Sequence, residues 1–171
     1  LPGLDLEDLR VVRIGAPLTT LSLWSALQRP ASAPSAVEIP VEVAIGQGMT
    51  ALLAEDNPIG QTVMRLLLEE RHFKVSCVED GRDALERARQ EQFDVIFMDV
   101  QMPRMDGLEA TRLIRRMERE LGRNQTTIVA LTAQAFEQDR VRCLDAGMNE
   151  FLAKPIVASE LERILLRIQA Q

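Results

Sequence analysis

Cysteine and histidine, which build many metal and nucleophile sites, are scarce in this chain. Of its 171 residues, two are cysteines and one is a histidine. Cys77 and Cys143 fall in a predicted strand and a predicted helix without the spacing of metal ligands, so we predict free buried thiols in a reducing compartment. His72 falls at a predicted turn and is expected to be a solvated surface residue.

Long apolar runs and an excess of basic charge are also missing. No stretch reaches the roughly eighteen apolar residues that mark a membrane span, and no basic region followed by an apolar core indicates a signal peptide. The formal charge of −6 and the pI near 4.9 argue against a nucleic-acid-binding surface. The proportions of 46% hydrophobic and 27% charged residues are those of an ordinary globular domain.

From Met49 onward the chain alternates short apolar runs with amphipathic segments. Short apolar runs bounded by turn residues indicate strands buried on both faces, and their alternation with helices predicts a parallel sheet covered on both sides. The predicted strands are 49–54, 74–78, 94–98, 127–131 and 150–153. The predicted helices are 58–71, a helix capped by Asp80, and 108–121, 134–146 and 159–169.

The first and third predicted helices carry different surface patterns. In the first, apolar residues recur at the spacing of an amphipathic helix, namely Ile59, Val63, Leu66 and Leu67. In the third, arginines alternate with glutamates, which predicts a solvated face, with a partner surface as the alternative. The residues of that face are Arg112, Arg115, Arg116, Glu118, Arg119 and Glu120.

Acidic residues stand at the ends of two predicted strands. Glu55 and Asp56 follow the first strand, and Asp99 follows the third, shortly before a turn. If these strands are neighbours in a parallel sheet, three carboxylates converge at the edge where open α/β sheets bind ligands. Carboxylates that lie so close together repel one another unless a cation is present. A hard ion such as Mg²⁺ suits their oxygen atoms.

A hydroxyl and an ammonium group are predicted at the same edge. Thr132 follows the fourth strand, and Lys154 follows the fifth. Carboxylates, a hydroxyl donor and a fixed cation together favour a site for a transferable phosphoryl group.

The order and spacing of these residues resemble receiver domains of two-component signalling over about 49–169. The motifs that carry the resemblance are Glu55-Asp56-Asn57, Asp99 with Met102-Pro103 and Asp106-Gly107, Thr132-Ala133, and Phe151 ahead of Lys154-Pro155. The residues in these motifs are most similar to those in the receivers of hybrid sensor histidine kinases. The resemblance implies an α/β fold with a doubly wound, five-stranded parallel sheet of flavodoxin-like order.

The resemblance also implies roles for individual residues. Asp99 is expected to be the phosphoacceptor, attacking the phosphorus of a phosphohistidine. The expected ligands of Mg²⁺ are Glu55, acting mostly through water, Asp56, Asp99 and the main-chain carbonyl of Gln101. The expected phosphate-binding residues are Thr132, Ala133 and Lys154. Thr132 and Phe151 match the pair of switch residues that move together in this family.

The phosphoryl group is expected to come from another protein or domain, or from a small-molecule donor. A single histidine at a turn excludes an autonomous kinase core, and a receiver alone is not a kinase. We expect a histidine kinase core as donor and a histidine phosphotransfer domain as acceptor, since no output domain follows Gln171. We expect no nucleic-acid partner and no direct membrane contact, and a homodimer is left open. The expected location is the cytoplasm, with the parent protein attached to the inner membrane.

Three alternative functions compete with phosphoacceptance. A receiver that binds its partners without being phosphorylated is the main one, and the intact set of acidic residues argues against it. A phosphatase with an aspartate nucleophile would need a general-acid aspartate two residues later, where Gln101 stands. A flavin-binding domain would need a phosphate loop of Thr, Ser and Gly after the first strand.

The domain boundaries follow from composition. Residues 29–48 are predicted to be a linker because their first part is rich in Pro, Ser and Ala. Residues 1–28 are predicted to be the last strand and helix of a preceding degenerate receiver-like domain, since Gly15-Ala16-Pro17-Leu18 aligns with 153–156. Ala16 stands where the lysine would be, and an ordinary helical linker is the alternative. Residues 49–171 form the receiver domain.

Overall fold

The computed structural model describes residues 45–133 and 137–170, apart from the side chain of residue 137. Within those residues, ten elements alternate between strand and helix. The strands are β1 (Thr50–Ala54), β2 (Lys74–Val78), β3 (Val95–Asp99), β4 (Thr127–Thr132) and β5 (Glu150–Ala153). The helices are α1 (Pro58–Glu70), α2 (Gly81–Gln90), α3 (Gly107–Glu120), α4 (Glu137–Ala146) and α5 (Ala158–Gln169).

The five strands form a parallel sheet in the order β2-β1-β3-β4-β5. This is the doubly wound, flavodoxin-like arrangement, so the predicted fold class is confirmed. β3 lies at the centre of the sheet, between β1 and β4. Because all strands run in the same direction, their carboxyl ends meet at one edge, which we call the carboxyl edge.

Each face of the sheet has its own apolar core. Helices α2, α3 and α4 cover one face, and α1 and α5 cover the other. All five residues of β3 are buried, as expected for a central strand covered on both faces. Asp99 is the last of these residues, so its side chain lies where the buried strand meets the carboxyl edge.

Three helices begin at the carboxyl edge with side-chain caps. Asn57, Asp80 and Asp106 each accept hydrogen bonds from main-chain N–H groups in the first turns of α1, α2 and α3. Gly122 and Gly147, where helix ends were predicted, have φ angles of +61° and +101°. Glycine adopts this left-handed region at low cost, which explains the ends of α3 and α4.

The solvated face predicted for the third helix is wrong at two positions. Arg115 and Glu118 are buried, and their side chains pair at 2.7 Å. The Arg115 guanidinium also donates to the carbonyl of Gly147 and to the side-chain oxygen of Asn149, while Glu118 accepts from the amide of Thr126. A charged pair tolerates burial when its remaining donors and acceptors are also satisfied, as they are here.

The apolar stripe of α1 lies on the surface of the described domain. The exposed fractions of Ile59, Val63 and Leu66 are 74%, 46% and 54%. Met64 and Leu68 fill the core instead. The predicted helix is confirmed. Its exposed apolar residues form a surface that begins beside Asn57.

Other predictions have mixed outcomes. Both cysteines are free thiols, with Cys143 buried and Cys77 half-buried, and His72 is exposed as expected. In the described part of the chain, no helix is both long enough and apolar enough to cross a membrane. The predicted remnant at 1–28, linker residues 29–44 and the first residues of the predicted fourth helix lie outside the described residues.

Candidate functional site

The register of the sheet brings the acidic residues together. Ala54 lies opposite Met98 on the neighbouring strand, so the residues that follow, Glu55 and Asp99, are side by side at the carboxyl edge. One carboxylate oxygen from each of Glu55, Asp56 and Asp99 lies within 4.8 Å of the other two. Glu55 and Asp99 are buried, whereas Asp56 is exposed, so the cluster opens to solvent on one side.

Lys154 reaches this cluster from two strands away. Its main-chain amide donates to the carbonyl of Thr132 at 2.8 Å, which continues the pairing of β4 and β5 past the last strand residue. Its ammonium nitrogen Nζ lies 2.6 Å from Glu55 Oε2 and 2.6 Å from Asp99 Oδ2. One cation therefore bridges two buried carboxylates.

The charges of this group depend on one another. Burial raises the pKa of Glu55, the hydrogen bond from Lys154 opposes that rise, and the nearby charge of Asp99 adds to it. Burial alone would lower the pKa of Lys154, but its bonds to Asp99 and Glu55 outweigh burial and raise the pKa. The ammonium group is therefore fixed in its charged form.

The acidic cluster fits a magnesium ion. Three carboxylates with a single ammonium partner leave an excess of negative charge. Burial is the main cause of the raised pKa of Glu55, and the neighbouring charge of Asp99 adds to it. Their oxygen atoms are the hard ligands that Mg²⁺ prefers, and the exposed side at Asp56 leaves room for the water ligands that Mg²⁺ retains.

A cleft of about 490 Å³ borders Asp99. Asp99, Gln101, Thr132 and Ala133 line it. Thr132 is buried and Ala133 is exposed, so the cleft runs from the sheet edge out to solvent. Asp99 thus belongs both to the acidic cluster and to the lining of a cleft that opens to solvent.

The carboxylate of Asp99 is held at both of its oxygen atoms. Oδ2 accepts from Lys154, and Oδ1 accepts from the main-chain amide of Gln101 at 3.1 Å. Close packing fixes the main chain as well, because a Cβ atom at Gly107 would lie only 2.0 Å from the Asp99 carbonyl oxygen. A carboxylate held in this way keeps one orientation.

The two expected switch residues lie on neighbouring strands. Phe151 is opposite Ala130, two residues before Thr132 on β4. Phe151 is half-buried, and the Arg140 guanidinium carbon lies 5.1 Å from the centre of its ring. This placement brings the pair to one region of the sheet, while their joint movement stays a prediction.

Sequence reasoning did not assign site roles to several residues that support Glu55. The Asn57 amide donates to Glu55 Oε1 at 3.3 Å. Gln61 donates to the carbonyl oxygens of Glu55 and Val78, at 3.1 and 3.2 Å. A Cβ atom at Gly60 would lie 3.2 Å from the carboxylate carbon of Glu55. The sequence feature that could have indicated these roles is the position of all three residues at the start of a helix that follows an acidic strand end.

Comparison with known proteins places this geometry in context. A family profile described as the response regulator receiver domain matches residues 51–166. The signal transduction histidine-protein kinase BarA of Escherichia coli K12 is 37% identical over 165 residues, which cover 94% of this chain and 18% of BarA. The chain therefore spans about a fifth of the length of that relative.

Two solved structures are similar to this chain over most of its length. The receiver domain of the sensor histidine kinase PA1611 from Pseudomonas aeruginosa PAO1, with magnesium coordinated in its active-site cleft, has a TM-score of 0.65 and 43% identity. That match covers 72% of this chain and 98% of the other. A co-crystal structure of the Saccharomyces cerevisiae phosphotransfer protein Ypd1 with the receiver domain of Ssk1 gives a TM-score of 0.69 and 28% identity. It covers 71% of this chain and 89% of the matched one.

Proposed function

We propose, since this chain belongs to the response regulator receiver domain family, that Asp99 accepts a phosphoryl group from a phosphohistidine. The observation that carries the proposal is the environment of Asp99 at the end of the central strand. It is bound by Lys154 at 2.6 Å, lies beside two further carboxylates and faces a cleft lined by Thr132.

The chemical step requires little rearrangement of these residues. A carboxylate oxygen of Asp99 attacks phosphorus in line with the leaving imidazole, forming a P–O bond. The P–N bond breaks at the same time, and its electron pair returns to the imidazole nitrogen of the donor. Lys154 pairs with a phosphoryl oxygen, and the Thr132 hydroxyl and Ala133 amide donate to others, so developing negative charge meets donors already in place.

Glu55, Asp56, Asp99 and the main-chain carbonyl of Gln101 would hold Mg²⁺, with Glu55 acting mostly through water. When bound, the ion neutralises charge on the phosphoryl oxygen atoms. Lys154 binds Glu55 and Asp99 within the acidic cluster, whereas Thr132 lines the cleft beside Asp99.

The proposed phosphotransfer requires one partner that donates the phosphoryl group and one that accepts it. We place this domain in a hybrid sensor histidine kinase, in which a kinase core supplies the phosphoryl group and a histidine phosphotransfer domain receives it. The similarity to BarA and to the receiver crystallised with Ypd1 supports both kinds of partner. A cytoplasmic position, in a parent protein attached to the inner membrane, accords with such a relay.

We assign the exposed apolar stripe on α1 as the docking surface for the histidine phosphotransfer domain. Asn57 caps α1 immediately after Glu55 and Asp56, so Ile59 is the first large apolar side chain beside the acidic cluster. A partner that brings an imidazole to Asp99 must cover the rim of the site. An apolar helical surface on the partner would bury Ile59, Val63 and Leu66 together.

Replacing Ile59 should therefore separate docking from chemistry. Once labelled by acetyl phosphate, the Ile59→Gln variant is expected to pass its phosphoryl group to a histidine phosphotransfer protein about tenfold more slowly, because an apolar anchor is lost. Its labelling by acetyl phosphate, which needs no docking, should be unchanged. Leu121→Gln is the matched control, since Leu121 is 55% exposed at the other end of the fold, beyond α3. Equal loss with both variants would contradict a docking role for α1.

Labelling of the wild-type chain tests the proposal as a whole. Incubated with acetyl phosphate and Mg²⁺, the protein should gain one phosphoryl group that is lost on treatment with hydroxylamine, as an acyl phosphate is. EDTA should prevent labelling, and Asp56→Ala should raise the Mg²⁺ concentration required, because an exposed ligand of the ion is removed. Intact-mass spectrometry measures both results. A chain that binds its partner but never takes label would instead be a phosphorylation-independent binding module.

A further inference from the structure

The loop between β3 and α3 contains one residue with an unfavourable backbone conformation. Arg104 has a φ angle of +62°. A side chain with a Cβ atom rarely adopts this region, because the Cβ atom then lies too close to the following carbonyl oxygen. Such a conformation persists where surrounding contacts hold it, so the contacts of Arg104 indicate what maintains the loop.

The principal contact of Arg104 is an ion pair with a buried carboxylate. Its guanidinium donates from both Nε and Nη2 to Asp80 Oδ2, and Asp80 is only 1% exposed. Asp83 lies near the same group at 3.8 Å. Burial would raise the pKa of Asp80, but the Asp83 amide and Arg104 together lower it. Asp80 therefore stays charged and retains its partner.

A second contact fixes the same loop to the start of α2. The amide of Gly81 donates to the carbonyl oxygen of Met105 at 3.1 Å. The approach is close, because a Cβ atom at Gly81 would lie 2.7 Å from that oxygen. Loop residues on both sides of the Arg104–Met105 bond are thus tied to residues 80 and 81.

This loop also contains Gln101, whose amide binds Asp99 Oδ1. In the function proposed above, the Gln101 carbonyl is a ligand of Mg²⁺. We propose that the Arg104–Asp80 ion pair positions this loop and thereby sets the affinity of the site for Mg²⁺. The inference rests on the proposed function and assigns Arg104 and Asp80 a positioning role without contact to the reacting atoms.

The two tasks of Asp80 use different oxygen atoms and can be separated. Oδ1 accepts from the Asp83 amide at 2.8 Å and caps α2, while Oδ2 accepts from Arg104. Asp80→Asn keeps an oxygen for the cap and removes the charge that attracts Arg104. Arg104→Gly removes the guanidinium and relieves the backbone strain, so any loss of Mg²⁺ affinity cannot come from a strained loop.

The test is calorimetric titration of Mg²⁺ into the unphosphorylated full chain. Arg104→Gly and Asp80→Asn are each expected to weaken Mg²⁺ binding about tenfold, the lower end of effects seen for residues that orient metal ligands. The double variant should bind no more weakly than either single variant, because both changes remove the same contact. Arg104→Lys, which keeps the charge without the two-pronged contact, should fall between them and wild type.

His72→Gly is the matched control. His72 also has a positive φ angle, +66°, but lies in the turn before β2, at the opposite edge of the sheet. Its Mg²⁺ affinity should equal that of wild type, and far-UV circular dichroism should show all variants folded. If Arg104→Gly and Asp80→Asn bind Mg²⁺ as wild type does while wild type takes label, the positioning role is wrong and the proposed function stands. If wild type neither binds Mg²⁺ nor takes label, the proposed function fails and this inference falls with it.

Discussion

Asp99→Asn is expected to take no phosphoryl group from any donor, while Asp106→Asn takes label as wild type does. Asp99 is the acidic residue held by Lys154 at the end of the central strand. An asparagine there fills the same volume but presents an amide, which is not a nucleophile for phosphorus. The expected effect is complete loss and not a reduced rate. Asp99 both binds Lys154 and lines the cleft, whereas Glu55 binds Lys154 without lining the cleft.

Asp106 makes a demanding control because it lines the same cleft. Its side chain caps α3 by accepting from the Glu109 amide at 2.7 Å, and asparagine preserves that cap. Intact-mass spectrometry before and after hydroxylamine distinguishes an acyl phosphate from other adducts. Label on Asp99→Asn, or its loss from Asp106→Asn, would show that a different carboxylate accepts the group.

Much of this site could be anticipated from sequence because its parts are local. A short apolar run ending in an acid needs only strand burial and the parallel arrangement to place Glu55 and Asp99 at one edge. Caps such as Asn57 and Asp106 depend on residues within one helical turn. These signals are independent of the rest of the chain, which is why the element order and the acidic edge were predictable.

Contacts between distant residues were not predictable in the same way. The bridge from Lys154 to both Glu55 and Asp99 spans four strands of the sheet, from β1 to β5, and its existence depends on side-chain reach as well as on strand order. The burial of Arg115 depends on Gly147 and Asn149, more than thirty residues along the chain. An alternating charge pattern carries no information about such partners, so it suggested a solvated face.

Lys154→Met is expected to reduce the rate of labelling by acetyl phosphate about 10²- to 10³-fold. The variant removes the cation that would meet a phosphoryl oxygen, and removal of one preorganised donor to a developing anion typically has an effect of this size. Methionine keeps most of the side-chain volume, so packing beside β4 is little changed. Lys74→Met is the control, since Lys74 is the chain's only other lysine and is exposed at the start of β2.

The same variant should lose stability in a manner that depends on pH. The folded-state pKa of Glu55 is already raised by burial, and removing Lys154 removes a cause that lowers it. A carboxyl group whose pKa is raised on folding favours the folded state below its ordinary pKa, and that contribution is lost as pH rises through the folded pKa. In Lys154→Met the pKa of Glu55 in the folded state is higher still. The contribution of Glu55 to stability is therefore lost over a pH range that extends further toward neutral pH. In wild type, the raised pKa of Lys154 contributes stability that is present across this range and is lost only in strong alkali.

We therefore expect Lys154→Met to be less stable than wild type by about 2 kcal/mol at neutral pH. This value is below the usual cost of breaking a fully buried ion pair, because the Lys154 side chain is 27% exposed and solvent screens its charge. The difference should shrink in acid, as Glu55 becomes protonated and no longer needs a cation. It should also shrink on addition of Mg²⁺, because a second cation then offsets the carboxylate charge. Urea unfolding at several pH values, with and without Mg²⁺, measures all three trends. A stability difference that is independent of both pH and Mg²⁺ would mean that Lys154 acts through packing and not through its charge.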